Sequence, residues 1–105
     1  MTTVTEQFQA ARDLLVSYQT DYEAARSNFE WPRFEHFNFA LDWFDHLATA
    51  EESKDREALV ICETDGSSTR RTFAEMSARS AQLANWLESQ GVQRGDRVMP
   101  VSYTH

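Results

Sequence analysis

Between Phe29 and Phe44, seven of 16 residues are aromatic: Phe29, Trp31, Phe34, Phe37, Phe39, Trp43 and Phe44. Each ring hides about 150–250 Å² of surface when it is buried. A chain of 105 residues has room for one small domain at most, so it has little material with which to cover every ring from all sides. Two outcomes stay open. The rings pack together as a core within the chain, or part of the segment is a docking surface for another portion of a larger protein or for a partner. A hydrophobic fraction of 41%, with 13 aromatic residues, is that of a globular chain rather than a disordered one.

Local patterns before and within this segment predict helices. From Thr5 to Arg26, Phe8, Ala11, Leu15, Tyr18, Tyr22 and Ala25 recur at the period of one helix face. Thr3 with Glu6, or Thr5 alone, can cap this helix, and Asn28 is a plausible stop. Pro32 makes the first half of the aromatic segment extended. Asn38 is a good cap for a second helix over Phe39–Thr49, with Leu41, Phe44 and Ala48 as its inner stripe.

Glu51 to Glu57 is a charged run and reads as a solvated connection. Ala58 to Glu63 then predicts a strand, Asp65-Gly66-Ser67-Ser68 a turn, and Thr69–Thr72 the returning strand of a hairpin. Thr72 and Glu75 spell a capping box for a helix that carries Met76, Ser80, Leu83, Ala84 and Leu87 on its inner side. Gly91 closes that helix, Val92 packs back on its last turn, and Gly95-Asp96 turns the chain into a strand starting at Arg97-Val98-Met99.

Charge and motif content exclude several functions. With 17 acidic and 10 basic residues the net charge is -7, which repels phosphate backbones, so nucleic acid is not an expected partner. The longest purely apolar run, Ala58 to Cys62, has five residues, far short of the roughly 20 of a membrane span. The opening residues lack the basic start and apolar stretch of a secretory signal. These points predict a cytoplasmic protein.

Candidate reactive groups are few. Cys62, the one cysteine, sits beside Val60 and Ile61 and reads as a buried small hydrophobe in preference to a nucleophile. His36, His46 and His105 are scattered. Asp42 and His46 lie one helical turn apart with Asp45 adjacent, which allows a metal site but equally a solvated helix face. Glu35 and Asp42 form an acid/base pair by residue type only.

Three stretches occur in order along the chain: Thr72-Phe73-Ala74-Glu75-Met76, Ala84-Asn85-Trp86-Leu87, and Gly91-Val92-Gln93-Arg94-Gly95-Asp96-Arg97-Val98. On these residues the chain resembles the amino-terminal portion of acyl-CoA synthetases, in the adenylate-forming (AMP-binding) superfamily. Phe37-Asn38-Phe39-Ala40-Leu41-Asp42-Trp43-Phe44-Asp45 resembles the leading segment of the medium-chain and acetyl-CoA synthetase-like branch. The resemblance covers residues 30 to 98, and the Gly91–Val98 turn is its most specific part. It implies an α/β fold, α+β in this fragment: amino-terminal helices, a β-hairpin, a helix, and the first strand of a larger sheet. Residues 1–105 would be a partial amino-terminal segment of an AMP-binding domain.

Members of that family use ATP and magnesium to turn a carboxylic acid into an acyl-adenylate, then pass the acyl group to coenzyme A, the chemistry of fatty-acid and other carboxylic-acid activation. Their phosphate loop with its lysine, adenine-binding segment, ribose-holding aspartate and carboxy-terminal catalytic lysine lie downstream of the resemblance. Lys54, the only lysine, sits in the charged connection, and no run of small residues accompanies it. No catalytic, cofactor-binding or metal residue is therefore carried over. ATP, Mg2+ and CoA are implied for the full-length family and none for this chain.

After Met99 the sequence Pro100-Val101-Ser102-Tyr103-Thr104-His105 departs from the apolar run of a central strand. It reads as a truncated or frame-shifted reading frame, or a misplaced gene end, more than as a natural domain boundary. The expectation is an amino-terminal piece of an acid-CoA ligase, inactive alone, whose partner is the remainder of the synthetase or a related chain. The alternative is a stand-alone interaction module that uses segment 29–44.

Overall fold

The computed structural model of the protein describes residues 2–101. Helix α1 spans Val4–Ser17 and begins as the sequence predicts: the Thr3 hydroxyl accepts from the Glu6 amide at 3.2 Å, and the Glu6 carboxylate accepts from the Thr3 amide at 2.7 Å. This reciprocal pair satisfies amides that have no partner within the helix. The single helix expected up to Arg26 is not formed. The chain breaks after α1 and restarts as α2, Tyr22–Asn28, because the Asp21 carboxylate accepts from the Ala24 amide and caps a new helix. Aspartate favours such a cap over a helix interior. The Ser17 hydroxyl, donating back to the Leu14 carbonyl, occupies an acceptor in the last turn of α1. Phe8, Ala11, Tyr18 and Ala25 of the predicted face are half-buried, while Tyr22, at the start of the new helix, is exposed.

Asn38 caps as expected, its side-chain oxygen accepting from the Ala40 and Leu41 amides. Residues Phe39–Phe44 then form a π-helical turn, in which the Asp45 amide reaches back to the Ala40 carbonyl. It leads directly into α3, Asp45–Thr49. The wider turn rotates each later side chain backward relative to an α-helix. The inner stripe is corrected accordingly: Leu41 is 66% exposed, and Trp43 at 8% takes the inward position with Ala48. Phe44 is half-buried against Phe73, with ring centroids 5.4 Å apart.

The charged run is not wholly solvated. It winds through successive turns in which the amides of Ser53 and Lys54 both donate to the Ala50 carbonyl. Ser53 is 3% exposed, and its hydroxyl donates to the Leu47 carbonyl at 2.7 Å. Strands β1, Glu57–Cys62, and β2, Ser68–Thr72, form an antiparallel hairpin in which Val60 faces Arg70 and Ile61 faces Thr69, with an irregularity between Glu57 and Leu59. Gly66 turns the hairpin at φ +87°, a conformation that glycine adopts without penalty.

Helix α4, Phe73–Ser89, opens with the predicted capping box of Thr72 and Glu75. The next two amides are also engaged: Phe73 donates to the Arg56 carbonyl and Ala74 to the Lys54 carbonyl. The loop and the helix start are thereby joined. At the other end, the Val92 amide donates to the Leu87 carbonyl and the Gly91 amide to the Glu88 carbonyl, with Gly91 at φ +87°. This is a Schellman closure. Residues Arg97–Met99 form no strand; the hairpin is the sheet found among the described residues. Ser102–His105, part of the expected departure at the end, lie outside the described residues.

Packing within the chain is thin. The radius of gyration is 17.6 Å, against about 13 Å for a compact domain of this size. Among the described residues, Trp43 and Ala48 are the only hydrophobic side chains that are buried, and both keep a little exposure, 8% and 7%. The inner side predicted for α4 is corrected in its second half: Met76 and Leu87 are half-buried, but Ser80, Leu83 and Ala84 are exposed.

Candidate functional site

The rings of segment 29–44 pack both on one another and on Phe8 of α1. Phe8, projecting from α1, stacks on Phe37 at 5.1 Å and meets Trp43 at 5.1 Å, while Phe34 stacks on Phe37 at 5.0 Å. The Arg12 guanidinium stands 6.0 Å from the Trp43 ring centroid, within cation–π range. The Thr5 hydroxyl donates to the Asp42 carbonyl at 2.6 Å and ties the start of α1 to the π-helical turn. The aromatic segment is divided: Trp43 is core, and Trp31 is 80% exposed.

The exposed rings border a groove of 610 Å³ between α1 and the extended segment. Phe8, Leu15, Phe29, Trp31 and Phe34 contribute its apolar wall, and Arg12 and Gln19 lie at its polar edge. Such a groove accepts apolar groups. It holds no pair of convergent polar side chains of the kind that orients a substrate for chemistry.

The polar candidates are not brought together. The Asp42 carboxylate accepts from the Asn38 amide at 2.6 Å, the Asp45 carboxylate from the Ser77 hydroxyl at 2.7 Å, and the His46 ring lies along Trp43. No group of His, Cys, Asp or Glu that could hold a metal is found among the described residues. Glu35 is almost fully exposed beside His36, while the Asp42 carboxylate is bonded to the Asn38 amide. His105 lies outside the described residues. Cys62 is corrected from buried to exposed, since it lies at the turn end of the hairpin, where residues 59–70 are all exposed. Lys54 pairs with Glu51 at 2.7 Å.

The Gly91–Val98 motif turns out to be a joint. The Asp96 amide donates to the Gln93 carbonyl at 3.0 Å, the Asp96 carboxylate accepts from the Gln93 amide at 2.8 Å, and Gly95 supplies φ +99°. Its polar groups thus serve one another. Sequence reasoning misses the buried Ser53, the Ser77–Asp45 bond and Phe8 as the hub of the ring cluster. The aromatic count points to a cluster, but no local signal names the residue at its centre. No described helix is long and apolar enough to cross a membrane.

Residues 47–103 match the family described as AMP-binding enzyme. The chain is 35% identical over 113 aligned positions to an acetyl-coenzyme A synthetase of Thiobacillus denitrificans, an alignment covering 80% of this chain and 16% of that protein. Acetyl-coenzyme A synthetases of Burkholderia thailandensis and Burkholderia mallei are each 32% identical to it, over 86% of this chain and 17% of theirs. The chain therefore spans only 16% to 17% of the length of these relatives. No solved structure matches it. The matched stretch takes in the hairpin, α4 and the turn that closes it, which is more than half of the sequence, and the chain belongs to the AMP-binding enzyme family.

Proposed function

We propose that this polypeptide is a scaffold segment of the AMP-binding domain of an acyl-CoA synthetase, with no acid-activating chemistry of its own. The observation that carries the reading is the behaviour of the family-matched turn. Gly91 closes α4, and Gln93 and Asp96 bond each other, so the most characteristic residues spend their polar groups on reversing the chain. Adenylation requires a cradle of amides and a lysine around the polyphosphate. The amides at the start of α4 are already engaged by Thr72, Arg56 and Lys54, and the Lys54 ammonium faces Glu51. In this reading ATP, Mg2+, CoA and the carboxylic acid belong to the full-length enzyme, and its setting is cytoplasmic.

Two measurements test the proposal. The purified chain is expected to show no ATP–pyrophosphate exchange with acetate or longer acids; exchange by the pure polypeptide overturns the reading. A chimera in which this sequence replaces the aligned positions of the Thiobacillus denitrificans synthetase is expected to retain acetate-dependent exchange. A folded but inactive chimera counts against the family role.

A second reading, a stand-alone interaction module built on segment 29–44, is favoured by the apolar groove and the exposure of Trp31. The two differ in folding behaviour. The module melts sharply as a monomer, whereas the scaffold segment melts broadly and associates, because sheet edges and apolar faces are left open.

A further inference from the structure

We propose that the cavity between α1, α3 and the turns before β1 binds a small organic anion, a carboxylate carried on a body about the size of one aromatic ring. The cavity has a volume of 240 Å³. An apolar cavity of about 150 Å³ takes up benzene, so there is room here for one ring with its carboxylate. The site is separate from the acid activation assigned to the full-length enzyme and stands whether or not that assignment holds.

Charge sets the sign of the ligand. The whole chain has 17 acidic and 10 basic residues, yet Arg12, Arg56 and His46 line this cavity against one acid, Glu52. The Arg56 guanidinium has no ion-pair partner among the described residues. Its backbone is nevertheless held: the Arg56 amide donates to the Ser53 carbonyl at 3.0 Å, and the Arg56 carbonyl accepts from the Phe73 amide at 3.1 Å. A cation on a fixed base loses less freedom when it takes a ligand. Arg12 pairs with Asp13 through one nitrogen, an exposed contact of little worth, and keeps its other donors for a second oxyanion. The His46 imidazole adds an N–H donor in either protonation state.

The walls set the body of the ligand. Trp43, Leu47 and Phe73 face the same cavity. Trp43 is 8% exposed, and both the Arg12 guanidinium and the His46 ring stand 6.0 Å from its ring centroid. A flat apolar wall is thereby fixed beside the cations. Inorganic phosphate gains from the guanidinium groups alone, whereas a carboxylate on a ring gains from both. A few placed polar groups on apolar walls are the pattern of a small-molecule site. The groove beside α1 has apolar walls of the same kind but neither Arg56 nor His46.

Benzoate is the probe, titrated into the full chain and followed by NMR at the indole N–H groups of Trp31, Trp43 and Trp86 and at the Ser53 amide. A saturable shift at Trp43 and Ser53, with Trp31 and Trp86 unmoved, is expected. Arg56→Gln is expected to weaken binding at least fivefold. Glu52→Gln, which removes the opposing charge, is expected to tighten it about threefold. Arg79→Gln, at an exposed arginine outside the cavity, leaves it unchanged. Benzyl alcohol and inorganic phosphate, which carry the ring or the charge alone, are each expected to bind at least tenfold more weakly than benzoate. No saturable response at Trp43 overturns the proposal, and so does a response at Trp31 in its place, which puts benzoate in the α1 groove. Phosphate or benzyl alcohol binding as tightly as benzoate overturns it as well. Should Arg56→Gln lose its circular dichroism, Glu52→Gln decides: binding no tighter than that of the parent chain counts against the site.

Discussion

The Ser77 hydroxyl donates to the Asp45 carboxylate at 2.7 Å, joining α4 to α3 across 32 positions of sequence. The pair is partly buried and charge-assisted, so it is stronger than a surface hydrogen bond. Ser77→Ala leaves the carboxylate short of a donor and is expected to destabilise the α3–α4 contact by about 1.5 kcal/mol. Asp45→Asn keeps an acceptor and is expected to lose less than Ser77→Ala. Urea titration of each variant by circular dichroism checks the order; equal midpoints for Ser77→Ala and the parent chain contradict it.

Phe8 touches both Phe37 and Trp43 and is the main bond between α1 and the aromatic segment. It is half-buried, so Phe8→Ala is expected to cost about 2 kcal/mol, below the ~3–5 kcal/mol of a phenylalanine in a closed core. Release of α1 should also expose Trp43. A red shift of tryptophan emission with faster proteolysis before Asn38 is the expected signature, and unchanged emission contradicts the hub role.

Leu83→Ala in the isolated chain is expected to change stability by less than about 1 kcal/mol, because the side chain is 56% exposed and no cavity is left behind. The periodicity of α4 alone places Leu83 inside and implies roughly 2–5 kcal/mol. A loss in that range would restore the periodic assignment for this chain.

The contrast between Leu83 and the helix ends defines what the sequence makes legible. Thr3 with Glu6, Asn38, and Thr72 with Glu75 act on amides within a few residues, so their roles are encoded locally and the structure bears them out. Gly91 is equally local, since the φ of +87° is set by the residue itself. Burial is a property of what lies opposite. Cys62 and Leu83 carry the pattern of covered residues and lie open, and no pattern in α4 or β1 tells which chain supplies the cover. Asp21 and the π-helical turn occupy a middle ground. A cap at Asp21 is readable but is masked by the helical period running through it, and the wider turn that brings Trp43 inward has no sequence rule of comparable strength. The groove beside α1 depends on where Phe8 meets Phe37, a contact between two elements that neither element signals by itself.

Gly91→Ala tests the closure of α4 separately from packing. A Cβ built at this position meets nothing within 4 Å, so the cost arises only from the left-handed backbone and is expected to be about 1–2 kcal/mol. Gly91→Asn, which tolerates that conformation better, should cost less. Equal losses for the two variants would mean that a contact, not the backbone, is at stake.

Acid should loosen the start of α1 in a defined direction. The Glu6 carboxyl is held below its ordinary range, chiefly by the bond from the Thr3 amide and then by that from the Thr3 hydroxyl. A group whose pKa is lower in the folded chain adds stability above its unfolded pKa, about 4.3 for glutamate, and that stability is lost as pH falls through the folded value. Asp65 behaves alike in the hairpin turn, held low by the Ser67 hydroxyl and then by the Ser67 amide. The Thr3 amide resonance is therefore expected to titrate with a midpoint below the ordinary glutamate range, with hydrogen exchange in the first turn of α1 speeding up as the pH passes that midpoint. In Glu6→Gln the step should vanish from α1 and persist at the Ser67 amide, since Asp65 is untouched. A Thr3 midpoint at or above the ordinary value would mean that the carboxylate does not hold the cap in solution.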